Sequence, residues 1–315
     1  MTTAPTDIAT IQNAPTADLF EPAPLPATQP IDLEQYYSEA GPDYAAWSSE
    51  FNMHFGFYRR GMNPLDRESM LEQMNREVLA ALQVDHLAAP RVLDLGCGLG
   101  ATLRSFARQL PYARLLGITR VPWQVEQANQ RSAAAGLSSR VHVVQGEYQD
   151  TILPRGSYDA VYALESSCHA HGDDKRALLT EAYRLLRPGG RLVVADGFLM
   201  RPLKAGLQQR IYRKLCQCWI IEDLARLDRF HAQLEKLGFT NVAVTNLQWR
   251  VAPSVAHVPW VTLKFLLSDV LFSRKRMTRA RWNNVLAPLL MPWISAPLGP
   301  MCYQMITATK PAQRR

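Results

Sequence analysis

The sequence has no apolar run near the roughly 20 residues that a bilayer span requires. Its longest candidate, "VLAPLLMPWISAPLG" from Val285, is interrupted by Pro288, Pro292 and Pro297. Lys and Arg are missing from the first 58 residues; the first is Arg59. The opening "MTTAPTDIAT" therefore offers neither the basic n-region nor the apolar h-region of a secretory signal, and a mitochondrial transit peptide is equally unexpected. Cysteine is scarce. Cys97, Cys168, Cys216, Cys218 and Cys302 make no disulfide framework, and the C-x-C of Cys216 and Cys218 has no second pair to build a zinc site. Reduced thiols, no metal and a cytoplasmic location are the expectation. No nucleic-acid module signature and no internal repeat is present, so nucleic acid is not an expected partner.

What is there is unevenly charged. Residues 1–58 hold eight acids, and the remainder carries 35 basic against 20 acidic residues, a balance of +15 within an overall +7. A basic body favours anionic partners. In "SRKRMTRARW", Ser273 to Trp282, five basic residues stand beside apolar helical stretches, which raises peripheral contact with anionic lipid as an expectation.

Residues 1–30, rich in Pro, Ala and Thr, read as a disordered tail. Residues 31–88 read as a helical lid, above all "DRESMLEQMNREVLAAL", where Met70, Leu71, Met74, Val78 and Leu82 recur at helical spacing. Short strands and helices then alternate, the signature of a parallel sheet. The strands predicted are Arg91–Leu95, Arg114–Ile118, Val141–Gln145, Ala160–Leu164 and Arg191–Asp196. "EDLARLDRFHAQLEKLG" is a helix closed by Gly238, and "FTNVAVTNLQW" and "MCYQMITATK" are two further strands. Between those two lies an apolar, basic cap, residues 253–298. The core would span 89–200, and residues 201–315 would complete it. The expected fold is α/β: a doubly wound, seven-stranded, mostly parallel Rossmann-like sheet with a helical N-terminal lid and a helical C-terminal cap insertion.

The run "VLDLGCGLG", Val92 to Gly100, carries the chemistry. Its Gly96, Gly98 and Gly100 are spaced G-x-G-x-G rather than the dinucleotide G-x-G-x-x-G, and no Gly-Lys-Ser/Thr follows for a nucleoside triphosphate. No acid stands between Asp94 and Glu126, so the carboxylate that grips an NAD ribose is missing. NADP survives that test through Arg120. Against it stands Asp94, within the strand and just ahead of the turn. A carboxylate there repels a pyrophosphate and suits a ligand with a cationic amino group, such as S-adenosylmethionine.

"GEYQD", "YDAVYALESSCHAH" and "LLRPGGRLVVAD" follow the glycine turn at successive distances, and together they resemble the motifs of class I S-adenosylmethionine-dependent methyltransferases over about Arg91 to Asp196. Within that class, "FNMHFGFY", "GITRVPWQVEQAN" and "ALESSCHAH" resemble the sterol side-chain and tocopherol C-methyltransferases, with cyclopropane fatty acid synthases more distant. The aromatic acceptor motif of the sterol enzymes is not reproduced; "YAAWSSEFNMHFGFY" stands in its place.

The resemblance implies S-adenosylmethionine as cofactor and assigns roles. Gly96 and Gly98 would let the backbone approach its methionine part, and Asp94 would orient its ammonium. Thr119 and Gln124 would meet the ribose, and Glu147 and Tyr148 the adenine. His54, Phe55 and Tyr58 would fold over it, with Tyr36 and Tyr37 as weaker lid candidates. Glu165, Cys168 and His169 follow the fourth strand, at the carboxyl edge where open α/β sheets place their chemistry. His169 is the candidate base for an O–H or N–H acceptor; for an alkene acceptor, aromatic faces and Glu165 would stabilise a carbocation. His169 could also do no more than hydrogen-bond backbone or cofactor. Trp219, Trp249, Trp260, Phe265, Trp282 and Trp293 are expected to line a pocket for a small lipophilic substrate, a sterol, prenylquinol or terpenoid methylated on carbon. The alternatives are O- or N-methylation in natural-product synthesis, a non-catalytic cofactor binder, or an NADP-binding oxidoreductase.

Overall fold

In the computed structural model, which describes residues 32–272, 276–295, 297 and 299–312, strand β1 (Arg91–Leu95) is central and buried along nearly its whole length. Its Val-Leu-Asp-Leu run reads as a strand covered on both faces. The sheet continues through β2 (Arg114–Thr119), β3 (Val141–Gln145), β4 (Tyr158–Leu164), β5 (Leu186–Leu199), the two-residue β6 (Ala225–Arg226), β7 (Thr240–Asn246) and β8 (Met301–Thr309). Its order is β3-β2-β1-β4-β5-β8-β7, with β6 pairing β5 to one side. Strands β1 to β6 pair in parallel, and β8 runs antiparallel between β5 and β7. The seven expected strands are all present, and β6 is an addition. It displaces the start of the following helix from Glu222 to Leu227.

The helices are α1 (Leu33–Ala40), α2 (Arg67–Leu82), α3 (Ala101–Gln109), α4 (Pro122–Ala134), α5 (Arg176–Leu185), α6 (Leu207–Trp219), α7 (Leu227–Lys236), α8 (Gln248–Val255), α9 (Val258–Phe265) and α10 (Arg279–Ile294). Helix α2 starts where the Asp66 carboxylate accepts from the Ser69 N–H at 3.0 Å, satisfying one of the free N-terminal donors. Helix α4 begins on Pro122, whose missing N–H costs nothing there. Apolar side chains of α2, α3 and α8 (Met74, Val78, Phe106, Val251) pack on one face of the sheet, and those of α5 and α7 (Leu178, Leu179, Phe230, Leu234) on the other. Each such fully buried side chain contributes about 1.5–3 kcal/mol.

The lid expected over residues 31–88 divides in two. Helix α2 buries Met74, Val78 and Leu82 against the sheet and belongs to the core layer. Only the stretch from α1 to Phe55 borders the cavities described below. The cap is helical as expected and comprises α8 to α10, beginning a few residues before the expected 253. Pro253, Pro288 and Pro292 are accommodated inside these helices. The expectation of a disordered tail over residues 1–30 lies outside the described residues. No helix among the described residues is long and apolar enough to cross a membrane.

Candidate active site

Strand order reverses between β1 and β4, and the crevice at their carboxyl ends is where open α/β sheets bind ligands. Gly96 leaves β1 at φ +91°, a left-handed conformation that favours glycine. A Cβ there would lie 2.4 Å from the Ser166 Cβ, so the turn presents bare backbone to a tight space. Gly98, at φ +50°, faces the Met53 sulfur in the same way, at 3.1 Å. The resulting cleft is lined by Asp94, Gly96, Gly98, Thr119, Gln124, Tyr148 and His54. Thr119 and Gln124 are buried and hydrogen-bonded to each other, and the Tyr148 hydroxyl donates to the Ser166 carbonyl at 2.8 Å. His54 is fixed by the Phe55 carbonyl at 3.0 Å and the Asn75 side chain at 3.1 Å; burial pushes it down to about 4 and so keeps it neutral.

Asp94 is the electrostatic anomaly. It is buried, no Lys or Arg pairs with it among the described residues, and burial pushes its carboxyl up to about 7 against the pull of the Tyr162 hydroxyl. Tyr162, its register neighbour on β4, has a buried hydroxyl without a well-formed hydrogen bond. A buried carboxylate beside a glycine cradle, lacking a cation, fits a ligand that brings its own ammonium.

Two expected residues fall elsewhere. Tyr58 lines neither cavity; its backbone N–H is bound to the Arg250 carbonyl at 2.7 Å, because the chain has by then turned toward α8. Glu147 does not line the cleft but lies 3.5 Å from Arg120, which does.

A second cavity opens from the same place. The two share Tyr37, Met53, His54, Glu165 and His169. Glu165 sits at φ +48°, a strained conformation for a side chain of its size, directly after β4. Its Oε1 accepts from the Phe55 N–H at 2.6 Å and from the Tyr303 hydroxyl at 2.8 Å. Burial, with a lesser push from Asp196, raises its carboxyl to about 8. His169 is lowered to about 4 by burial. With its proton on Nδ1, facing the Ile220 carbonyl at 3.4 Å, its Nε2 is left to accept from the Tyr37 hydroxyl at 3.0 Å. The loop carrying both residues is pinned from below. Asp196 accepts from the Ser167 hydroxyl and the Cys168 N–H, and the buried Lys175 ammonium donates to the carbonyls of Cys168, Ala170 and Asp223. Sequence reading missed Lys175 and Tyr303. The Lys175 signal was a lysine one residue ahead of a helix, and Tyr303 reaches the site only through the antiparallel pairing of β8.

The second cavity is otherwise apolar, and its acids are Asp43, Glu165 and Asp196; no Lys or Arg lines it among the described residues. Of the six aromatic residues expected to line it, Trp219 and Phe265 do. Trp249, Trp260, Trp282 and Trp293 do not; they are 71%, 57%, 49% and 61% exposed, because they occupy the opposite faces of their helices.

A sheet of this order, a glycine cradle and an unpaired buried acid define a class of nucleoside-donor enzyme that needs no phosphate grip. Residues 92–190 match the model of a methyltransferase domain. The chain is 27% identical over 272 residues to a probable chloroplastic tocopherol O-methyltransferase of Oryza sativa subsp. japonica, covering 82% of this chain and 73% of that one. It is 30% identical over 205 residues to the 27-O-demethylrifamycin SV methyltransferase of Amycolatopsis mediterranei, covering 64% of this chain and 72% of the relative. A cycloartenol-C-24-methyltransferase of Arabidopsis thaliana is 32% identical over 159 residues, which are 50% of this chain and 44% of that one. Among solved structures, a cyclopropane synthase from Mycobacterium tuberculosis superposes with a TM-score of 0.73 at 17% identity, covering 88% of this chain and 97% of that one. A geranyl diphosphate C-methyltransferase from Streptomyces coelicolor, solved with Mg2+, geranyl diphosphate and S-adenosyl-L-homocysteine, does so at 0.66 and 15%, covering 91% and 100%.

The chain belongs to the class I S-adenosylmethionine-dependent methyltransferases, resembles their sterol and tocopherol group, and is an enzyme that uses S-adenosylmethionine as its methyl donor.

Proposed function

We propose that this enzyme methylates a small, neutral, lipophilic acceptor, and that the target is a carbon of a sterol-, prenylquinol- or terpenoid-type molecule. The observation that carries this reading is the second cavity: largely apolar, rimmed by acids and aromatic rings, without a Lys or Arg among the described residues, and joined to the donor cleft at Glu165 and His169. A phosphate- or carboxylate-bearing acceptor would find no lining Lys or Arg to pair with among the described residues. The sterol C-24 and tocopherol relatives support the acceptor class.

S-adenosylmethionine supplies a methyl group already activated on a cationic sulfur. What remains for the protein is alignment and exclusion of water. In this reading Asp94 holds the donor's ammonium, Thr119 and Gln124 turn to its ribose, and Tyr148 walls its adenine. Tyr37, Met53 and His54 close the junction from above. Addition of a methyl group to an alkene leaves positive charge on the acceptor. Glu165 and the faces of Tyr44, Trp47, Phe55 and Tyr303 line that cavity, with no Lys or Arg beside them among the described residues. Positive charge beside Glu165 draws its carboxyl back into the ionised form, and the carboxylate can then take the departing proton.

A second reading, O-methylation, is favoured by one contact: Tyr37 and His169 form a hydrogen-bonded acid–base pair facing both cavities. The rifamycin relative supports it. Purified enzyme, labelled donor and a cell lipid extract test both readings. A product labelled on carbon is expected. A label on oxygen overturns the choice of carbon, and label found only in polar, charged species overturns the lipophilic acceptor.

A further inference from the structure

Helices α9 and α10 are apolar on two sides, and among the described residues only one side has a covering. Val258, Val261, Thr262 and Phe265 of α9, and Val285, Pro288 and Met291 of α10, face the acceptor cavity. The same stretch of chain exposes Trp260, Leu263, Leu271, Phe272, Trp282 and Trp293, with Phe272 at 78%. A helix apolar on both faces is ordinarily buried on both. Exposed aromatic and aliphatic residues gathered on one insertion mark an interaction surface rather than scattered surface apolarity.

Charge says what covers it. Residues 248–298 carry seven Lys or Arg and one acid, Asp269, whose carboxylate is held by Arg281 at 3.1 Å. Lys264 stands over the Trp260 ring, its ammonium 5.0 Å from the centroid, so charge and aromatic face present together. Helix α6 packs on α10, and no acid occurs between Asp196 and Glu222, while Arg210, Arg213 and Lys214 are exposed. Tryptophan beside lysine and arginine, with aliphatic residues between, is the composition that seats at the headgroup boundary of an anionic bilayer.

We infer that the outer face of α9 and α10, with Leu271 and Phe272 beyond the end of α9, docks on the surface of an anionic lipid membrane. The acceptor cavity then lies one helix thickness, about 10 Å, from the lipid. An acceptor dissolved in the bilayer reaches it without crossing bulk water. That purpose rests on the lipophilic-acceptor reading, whereas the docking does not, since vesicle binding requires no turnover.

The test uses the full-length protein with vesicles of phosphatidylcholine alone and of phosphatidylcholine mixed equally with phosphatidylglycerol. The wild type is expected to float with the mixed vesicles, with a blue-shifted tryptophan emission, and to stay behind with phosphatidylcholine alone. The triple variant Trp260→Ser, Phe272→Ser, Trp293→Ser, all exposed positions outside both cavities, should lose binding by at least about tenfold. It should also keep its affinity for S-adenosylhomocysteine by calorimetry, which shows that it is folded. Failure of the wild type to float at low salt overturns the proposal. So does a triple variant that binds as well as wild type. A wild-type dimer that the same three substitutions dissociate, with no flotation, assigns the face to a second copy and overturns it as well.

Discussion

The Tyr37 hydroxyl lies 3.0 Å from His169 Nε2, joining the first helix of the described chain to the loop after β4 across 132 residues of sequence. His169 is the residue that an O- or N-methylation would use as base. Its lowered value, about 4, leaves it neutral through the physiological range. Carbon methylation needs no base at that position. His169→Ala and Tyr37→Phe are therefore expected to keep kcat within about tenfold of wild type and to leave the pH profile unchanged in shape. A base essential to an O–H acceptor would instead cost about 10²–10⁴ in kcat and remove an acidic limb. Steady-state kinetics across pH, once an acceptor is in hand, separates the two.

Asp94 gives donor binding a pH dependence of predictable sign. In the free protein its carboxyl is raised to about 7, and a bound ammonium favours the ionised form. Affinity for S-adenosylhomocysteine should be full above pH 7 and fall as pH drops through it, by up to about tenfold per unit. Asp94→Asn should flatten that dependence and weaken binding by about 1.5–3 kcal/mol, the worth of a charge-assisted hydrogen bond. The same raised value works against the ligand-free fold. Its contribution to stability is present below the ordinary carboxylate range and lost as pH rises through about 7. Ligand-free Asp94→Asn should therefore unfold at higher temperature than wild type at pH 8. Calorimetry and thermal unfolding at matched pH read both effects.

Glu165 is held by Phe55 and Tyr303 through one oxygen, Oε1. If it stabilises developing positive charge on the acceptor, Glu165→Gln keeps the shape and removes the charge. We expect kcat to fall about 10²-fold, the scale of a lost electrostatic stabiliser, with the donor's Kd within about threefold of wild type. Equal loss in kcat and in donor affinity would mean that the side chain serves the donor cleft instead. Single-turnover rates alongside calorimetry distinguish these.

The strands around the site were legible because parallel strands covered on both faces are nearly continuous apolar runs, as in Val92–Leu95 and Leu192–Ala195. The glycine cradle and Asp94 were legible because backbone conformation and a buried charge each narrow the residue types allowed. The direction of a side chain on a helix with apolar residues on more than one face was not legible. Trp260, Trp282 and Trp293 occupy such helices, so periodicity could not say which face meets the cavity, and packing sent them outward. Tyr58 and Glu147 were carried over from motif position, whereas the chain turns away just before the first and Arg120 intervenes near the second. Contacts such as Glu165 with Tyr303 depend on strand order, which no local pattern encodes.

Arg281 on α10 makes a two-pronged ion pair with Asp43 at 2.8 and 2.9 Å and a third contact with Asp269 at 3.1 Å; the Arg281 and Asp43 side chains are about one-tenth exposed. Asp43 lies in the short turn after α1, so this pair ties the stretch over both cavities to the cap. Removing only the arginine takes a shared cation away from two acids in a poorly solvated place. Arg281→Met should cost about 3–5 kcal/mol in urea unfolding, whereas Arg281→Met with Asp43→Asn should recover part of that loss. Lys in place of Arg281 keeps the charge and loses the fork, and should fall between wild type and Met. The tie also holds α1, which carries Tyr37, so its loss should speed release of S-adenosylhomocysteine in stopped-flow chase more than it slows capture. An unchanged release rate in a destabilised Arg281→Met would mean that the pair supports the cap alone and has no part in covering the donor.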